Sequence, residues 1–271
     1  MKQISENIQK LATLMNQDFN QEISKNTLLK VGIDLGTSSI VLVVLDQNDE
    51  PLFGAFEYAN AVRDGLVVNF HESVEVVRRL KVRAENCLQV ELTHGACAIP
   101  PGTVGNNKKV VAHVIESLGM EVTAIVDEPT AAATVLEVLD GAVVDVGGGT
   151  TGISIFKGGK VIYTADEPTG GTQMTLVLAG FYGISVKEAE LQKREKKQMQ
   201  MNFNIMKPTV EKIAEITRKN LEIMPSKSLY LVGGATIGKE FCTIFENYLS
   251  LSVFHPPSPE LVTPYGIAMN A

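Results

Sequence analysis

Val143-Val-Asp-Val-Gly-Gly-Gly-Thr-Thr-Gly-Ile-Ser-Ile-Phe156 reads as a buried strand, a glycine turn and a second strand, because apolar residues flank three consecutive glycines. Without Cβ atoms, Gly147, Gly148 and Gly149 let backbone N–H groups come close to an anion. Asp145 is placed to hold a hydrated cation, and Thr150 to add a hydroxyl. Taken alone, the same residues also serve as a tight hairpin turn with no ligand.

A second copy changes the weighing. Val31-Gly-Ile-Asp-Leu-Gly-Thr-Ser-Ser-Ile-Val-Leu-Val-Val-Leu45 again joins two apolar runs through an aspartate, Asp34, a glycine, Gly36, and the hydroxyls of Thr37 and Ser38. Two such hairpins suggest two related lobes facing each other, each offering a carboxylate and donors to a shared metal–phosphate group. Neither fits the GxxxxGK[ST] or GxGxxG pattern, which argues against a P-loop or Rossmann site.

The paired hairpins resemble the phosphate motifs of the actin, heat-shock-chaperone and sugar-kinase ATPase superfamily. Three more segments agree, in the family's order. Asp127-Glu-Pro-Thr-Ala-Ala-Ala133 is similar to the first connecting helix of the chaperone branch, Leu229-Tyr-Leu-Val-Gly-Gly-Ala235 to the adenosine motif, and Thr263-Pro-Tyr-Gly-Ile-Ala268 to the second connecting helix. The likeness covers the chain from about residue 30 to its end. It implies an α/β fold of two actin-like ATPase lobes, a ribonuclease-H-like duplication facing across a nucleotide cleft, with small inserted subdomains. The expected division is an N-terminal helix over 1–27, lobes over 28–140 and 141–257, and a connecting helix over 258–271 that returns to the first lobe.

The resemblance also implies ligands and roles. ATP or ADP with magnesium would sit between the hairpins, with Asp34 and Asp145 holding the metal through water and Gly36, Thr37, Ser38 and Gly147 to Thr150 binding phosphate. Glu128, Asp145 and Thr150 form the expected catalytic set, Glu128 positioning or deprotonating the attacking water. Gly233, Gly234 and Ala235 would cover the base. Two departures from the chaperone pattern stand out: Ala235 and Ile237 replace a hydroxyl residue and a stacking arginine, and no catalytic lysine occupies the short segment after the first strands, where Arg63 is the nearest cation. Within the superfamily the chain looks most like compact chaperone-like members associated with ethanolamine-utilization operons. An ethanolamine-utilization enzyme or a microcompartment shell protein is therefore the implied partner.

At 271 residues the chain can bury the cores of two medium domains. A net charge of −7, with no basic run beyond Lys193-Arg-Glu-Lys-Lys197, gives no footprint for nucleic acid. Cys87, Cys97 and Cys242 form no CxxC or Cys/His pattern, so reduced thiols and a cytoplasmic setting are expected. No apolar run is long enough for a membrane span, and the four histidines match no catalytic signature.

Along the chain, Ile4, Ile8, Leu11, Met15 and Phe19 make one apolar stripe on a helix predicted to run to about residue 26. It is read as packing on the chain's own lobe or a sister subunit, the alternative being a microcompartment encapsulation peptide. Three strands form an antiparallel meander from Leu28 to Tyr58. Val62 to Phe70 resembles a bacterial-actin segment with Asp64-Gly65 and an apolar run before an acid, here Asn69. A helix over 71–88 turns Val74, Val77, Val82 and Cys87 inward. Strands near 91–101 and 122–126 flank a helix over 106–118, and Glu128 opens a helix expected to cross residues 262–270. Past the second hairpin, Gly170 and Gly171 at a helix start suit an anion. In the polar helix 185–197, Glu190 and Lys193 are either the family's ribose and adenine contacts or an exposed i,i+3 ion pair. A break is predicted over 202–208, with Pro208 opening a helix to about Met224, then a strand over 228–232 and a stiff loop at His255-Pro-Pro-Ser-Pro259.

These observations favour an ATP-dependent chaperone-like protein, weakly hydrolysing, for ethanolamine-utilization enzymes or microcompartment assembly. The alternatives are a filament-forming actin-like scaffold and a small-molecule kinase.

Overall fold

A computed structural model describes residues 2–24, 27–63, 66–103, 105–195, 198–236 and 238–271. The chain opens with α1 (Lys2–Leu14) and then builds a sheet from β1 (Lys30–Leu35), β2 (Ser39–Leu45) and β3 (Pro51–Tyr58). A small hairpin, β4 (Val62–Arg63) and β5 (Leu66–Val67), leads to α2 (Phe70–Leu88), β6 (His94–Ile99), α3 (Asn106–Glu116) and β7 (Glu121–Asp127). The sheet order is β3-β2-β1-β6-β7, antiparallel through the meander and parallel from β1 to β7.

The same plan then repeats. After α4 (Glu128–Val135) come β8 (Gly141–Val146), β9 (Thr151–Lys157) and β10 (Lys160–Glu167), then α5 (Gly171–Tyr182), α6 (Val186–Lys193) and α7 (Met199–Ile223). β11 (Leu229–Val232), α8 (Lys239–Leu249), β12 (Val253–Phe254), a 3-10 turn at Pro259–Leu261 and α9 (Val262–Met269) complete the chain. The second sheet runs β10-β9-β8-β11-β12, strand for strand the order of the first. This is the expected duplicated α/β architecture.

Strand parity decides what faces the middle. Because successive side chains alternate, Val31, Ile33 and Leu35 of β1 join an outer core with α2 and α3, which leaves Asp34 on the opposite face. Likewise Ala142, Val144 and Val146 of β8 pack outward under α5, α7 and α8, while Val143 joins a third core between the sheets and Asp145 shares its parity. That central core also holds α4 and α9. They cross so closely that a Cβ on Gly266 would stand 2.0 Å from the carbonyl oxygen of Ala131, a contact only glycine permits.

Several expectations are corrected. The first helix stops at Leu14, not near residue 26. Met15 forms a parallel bridge to Gly54, Asn16 takes φ 56°, and the Asn16 N–H bonds to the Gly54 carbonyl at 2.9 Å, so the chain leaves the helix to follow β3. Ile8 and Leu11 are buried in the central core, and Phe19 lies 6.3 Å from Phe53. The stripe is therefore consumed by the chain's own lobe. Val82 points outward and is 48 % exposed. Pro208 lies inside α7 and Asn202 is buried in the same helix. A mid-helix proline costs about 3 kcal/mol, but buried Phe203, Met206, Val210 and Ile213 recur at helical spacing across it, each worth about 1.5–3 kcal/mol. α8, which had no predicted counterpart, shows the same logic with buried Phe241, Ile244 and Phe245. The bacterial-actin likeness falls partly on Asp64 and Gly65, outside the described residues; Asn69 caps α2 by accepting from the Glu72 N–H at 3.1 Å. Ile237 also lies outside them. Among the described residues no helix is long and apolar enough to cross a membrane.

Candidate functional site

Both glycine hairpins reach the same cavity, of about 360 Å³, within the ~300–1,000 Å³ range of small-molecule sites. From the first come Asp34, Gly36, Thr37 and Ser38; from the second, Asp145, Gly147, Gly148, Gly149 and Thr150. The second is closed by the Gly147 N–H on the Thr150 carbonyl at 2.9 Å. The two turns meet tip to tip, since a Cβ on Gly148 would fall 2.3 Å from Ser38 Oγ. Gly233, Gly234 and Ala235, after β11, form another wall, with the Ala235 N–H on the Val146 carbonyl at 3.0 Å.

Glu128 enters from the first position of α4, where the preceding Asp127 caps the helix by accepting from the Thr130 N–H at 3.0 Å. Three carboxylates thus crowd one space, and their proton affinities record it. Burial, then the charge of Asp145, pushes Asp34 up from 3.8 to about 7. Burial raises Asp145 to about 6, although the Thr263 hydroxyl donating to its Oδ2 pulls the other way. Glu128 is raised well above the usual carboxylate range by burial first and by Asp145 and Asp34 next. Each is an acid whose anionic form lacks a compensating cation.

Gly171 and Lys193 line the cavity; Gly170 and Glu190 are not among its lining residues. The amides at the start of α5 are already engaged, Gly171 N–H with the Gly147 carbonyl at 2.9 Å and Thr172 N–H with the Gly148 carbonyl at 2.7 Å. Gly170 N–H bonds to Gln173 Oε1 at 2.8 Å. That helix end braces the second hairpin and does not present free donors, which corrects the expectation of an anion there. Lys193 Nζ donates to Glu190 at 2.7 Å, to Thr175 Oγ1 at 2.8 Å and to the Gly171 carbonyl at 3.1 Å. Burial alone would raise Glu190, but Lys193, the Thr175 hydroxyl and Arg194 hold it below its ordinary value. At the amine, burial outweighs the partner and lowers Lys193. The geometry of three acceptors around one ammonium supports a charged pair. The i,i+3 bridge is thus present, half-buried and at the cavity edge.

Other lining residues had been given no role in the site from the sequence. Thr263 was the first residue of a recognised segment, and Arg194 followed Lys193, so both had a local signal. Tyr58 and Met15 had none. The Arg194 guanidinium lies 4.8 Å above the Tyr58 ring, bridging the end of α6 to β3 beside the cavity that both residues line. Arg63, the cation nearest the missing lysine in sequence, sits exposed on β4 and is not among the lining residues. Among the described residues no cluster of three His, Cys, Asp or Glu side chains is arranged to coordinate a metal directly.

Comparison with known proteins gives the same architecture. Residues 121–236 match the family described as Type IV pilus assembly protein PilM. The chain is 29% identical over 186 residues to a chaperone protein HscA homolog of Histophilus somni, covering 64% of this chain and 30% of that one. Among solved structures, MreB5 of Spiroplasma citri bound to ADP has a TM-score of 0.71 at 14% identity, over 89% of this chain and 95% of that one, a likeness of fold. The structure of ethanolamine utilization protein EutJ from Carboxydothermus hydrogenoformans superposes with a TM-score of 0.93 at 41% identity, over 100% of this chain and 99% of that one. EutJ of Salmonella typhimurium is 40% identical over 262 residues, 96% of this chain and 91% of that one. With the repeated sheets, the crossed helices and near-complete coverage in agreement, this chain belongs to the EutJ family of ethanolamine utilization proteins and has the actin-like ATPase fold.

Proposed function

We propose that this chain binds ATP with magnesium between its two glycine hairpins and uses the bound state to act, chaperone-like, on an enzyme or shell component of ethanolamine utilization. The observation that carries the reading is the convergence of both hairpins and three carboxylates, from β1, β8 and the start of α4, on one cavity. The relatives in ethanolamine utilization point to the metabolic setting, and the HscA likeness supports the chaperone character. In this reading residues 28–140 and 141–257 are the lobes, and α4 and α9 are the links between them.

Phosphoryl transfer depends on positioning and on neutralising phosphate charge. Gly36 to Ser38 and Gly147 to Thr150 supply backbone N–H groups and hydroxyls for the phosphates. Asp34 and Asp145 fit a magnesium ion held through its water shell, and a divalent charge there relieves the repulsion that burial leaves uncompensated. When bound, that ion neutralises charge on the phosphate oxygens. Glu128 is placed to orient the water and, once it has lost its own proton, to take the water's, the helix start favouring its anion against the burial that raises it. Lys193 and Arg194, the cations among the lining residues, both come from α6 and its C-terminal edge. Among the described residues no cation from the first sheet lines the cavity; in this reading hydrolysis is slow and nucleotide binding acts chiefly as a conformational switch.

Calorimetry with magnesium-ATP on the wild type, Asp145→Ala and Glu128→Ala tests the assignment. Asp145→Ala is expected to weaken binding at least about tenfold, or about 1.4 kcal/mol. Glu128→Ala binds within a few-fold of wild type and slows turnover. Equal binding by all three proteins refutes the site.

A further inference from the structure

The Asp145 carboxylate is hydrogen-bonded at one oxygen and closely approached at the other by residues that are far away in sequence. Thr263 Oγ1 donates to Oδ2 across 118 positions of chain. On the other side, a Cβ on Gly233 would lie 2.3 Å from Oδ1, so that oxygen rests against a bare Cα. Thr263 is 5 % exposed and Asp145 6 %, so water competes little for either group. The two residues also belong to different halves of the molecule. Asp145 ends β8 in the second sheet. Thr263 stands in the first turn of α9, which lies on the first sheet so closely that a Cβ on Gly32 of β1 would be 2.4 Å from the Ala268 amide nitrogen.

We infer that Thr263 is a positioning residue, whose hydroxyl, carried by the helix seated on the first sheet, holds the Asp145 carboxylate of the second sheet in the orientation that engages magnesium-nucleotide. The inference rests on the nucleotide reading above. A hydrogen bond to a charged group is stronger than one between neutral groups, and only its hydroxyl distinguishes threonine from valine at this place. A carboxylate free to rotate away from the cavity loses the cation-dependent part of binding, while the hairpin amides keep the cation-independent part. Because the donor and acceptor sit on opposite halves, the bond also makes the orientation of Asp145 sensitive to how the two halves sit.

Thr263→Val and Thr263→Ser separate this role from simple packing. Nucleotide affinity is measured by calorimetry with magnesium and with chelator, alongside urea unfolding of the ligand-free proteins. Thr263→Val is expected to lose about tenfold or more in the magnesium-dependent affinity and less than twofold in chelator. Thr263→Ser restores the magnesium-dependent part. Three results overturn the role while leaving the nucleotide site standing: Thr263→Val binding like wild type, equal loss with and without magnesium, or Thr263→Ser behaving as Thr263→Val. Failure of the wild type itself to bind nucleotide refutes the site and this role together.

Discussion

Replacing Asp34 with asparagine removes one of three crowded carboxylates while keeping its shape, and the consequence is a change in how stability depends on pH. Asp34 titrates near 3.8 when exposed and at about 7 in the fold, raised by burial and by Asp145. The folded chain therefore binds this proton more tightly than the unfolded chain does. Stability from the neutral form is fully present below about pH 4 and is lost as pH rises through about 7. At about 1.4 kcal/mol per pH unit, the full displacement is worth about 4 kcal/mol. The side chain keeps contact with the cavity, so a loss of about 2–4 kcal/mol between pH 4.5 and 8 is expected. Asparagine cannot ionise, and without its charge Glu128 loses one of the repulsions that raise it. Urea unfolding of the ligand-free proteins at pH 4.5, 6 and 8 reads the effect directly. Relative to wild type, Asp34→Asn should gain about 2–4 kcal/mol in going from pH 4.5 to 8, and magnesium-nucleotide should recover stability at pH 8 in the wild type far more than in the variant. A difference between the two proteins that stays within about 0.5 kcal/mol across the range, the usual span of an unremarkable surface change, refutes the crowding of these groups.

Two further outcomes follow from contacts outside the hairpins. Gly266→Ala drives a methyl group into the Ala131 carbonyl at the α4–α9 crossing; overpacking of this kind costs about 1–3 kcal/mol or more, and a loss under 0.5 kcal/mol in urea unfolding would show the helices to be further apart. Tyr58 and Arg194 line the cavity and stack on each other, so Tyr58→Ala and Arg194→Ala should each speed nucleotide release, with a coupling of about 0.5–1 kcal/mol in a double-mutant cycle; additive effects would deny the bridge.

Much of the site was legible because its chemistry is local. A strand that ends in aspartate, turns through glycines and returns as an apolar run dictates a hairpin with donors at its tip, and its repetition announces a duplicated fold. Strand alternation extends the reading one step, since Asp34 and Asp145 share parity with Gly32 and Val143 and must face away from the outer cores. The alanines after Glu128 and Gly266 likewise announced a close helix crossing.

What the residues could not reveal by themselves depends on partners distant in the chain. Periodicity carried the first helix past Leu14, but pairing with Gly54 ended it there. Pro208 signalled a break, yet burial on both sides of it kept α7 continuous. Two glycines at a helix start looked like an anion site, but the Gly170 amide bonds to the Gln173 side chain and the carbonyls of Gly147 and Gly148 accept from Gly171 and Thr172. The chain alone therefore marked the two hairpins and Glu128 as candidates for one site, since that follows from functional groups, their spacing and the motifs they resemble. Only the tertiary structure decided which donors remain free, and that Tyr58, Arg194 and Thr263 join them, because hydrogen bonds and burial are settled by whichever group arrives across the fold.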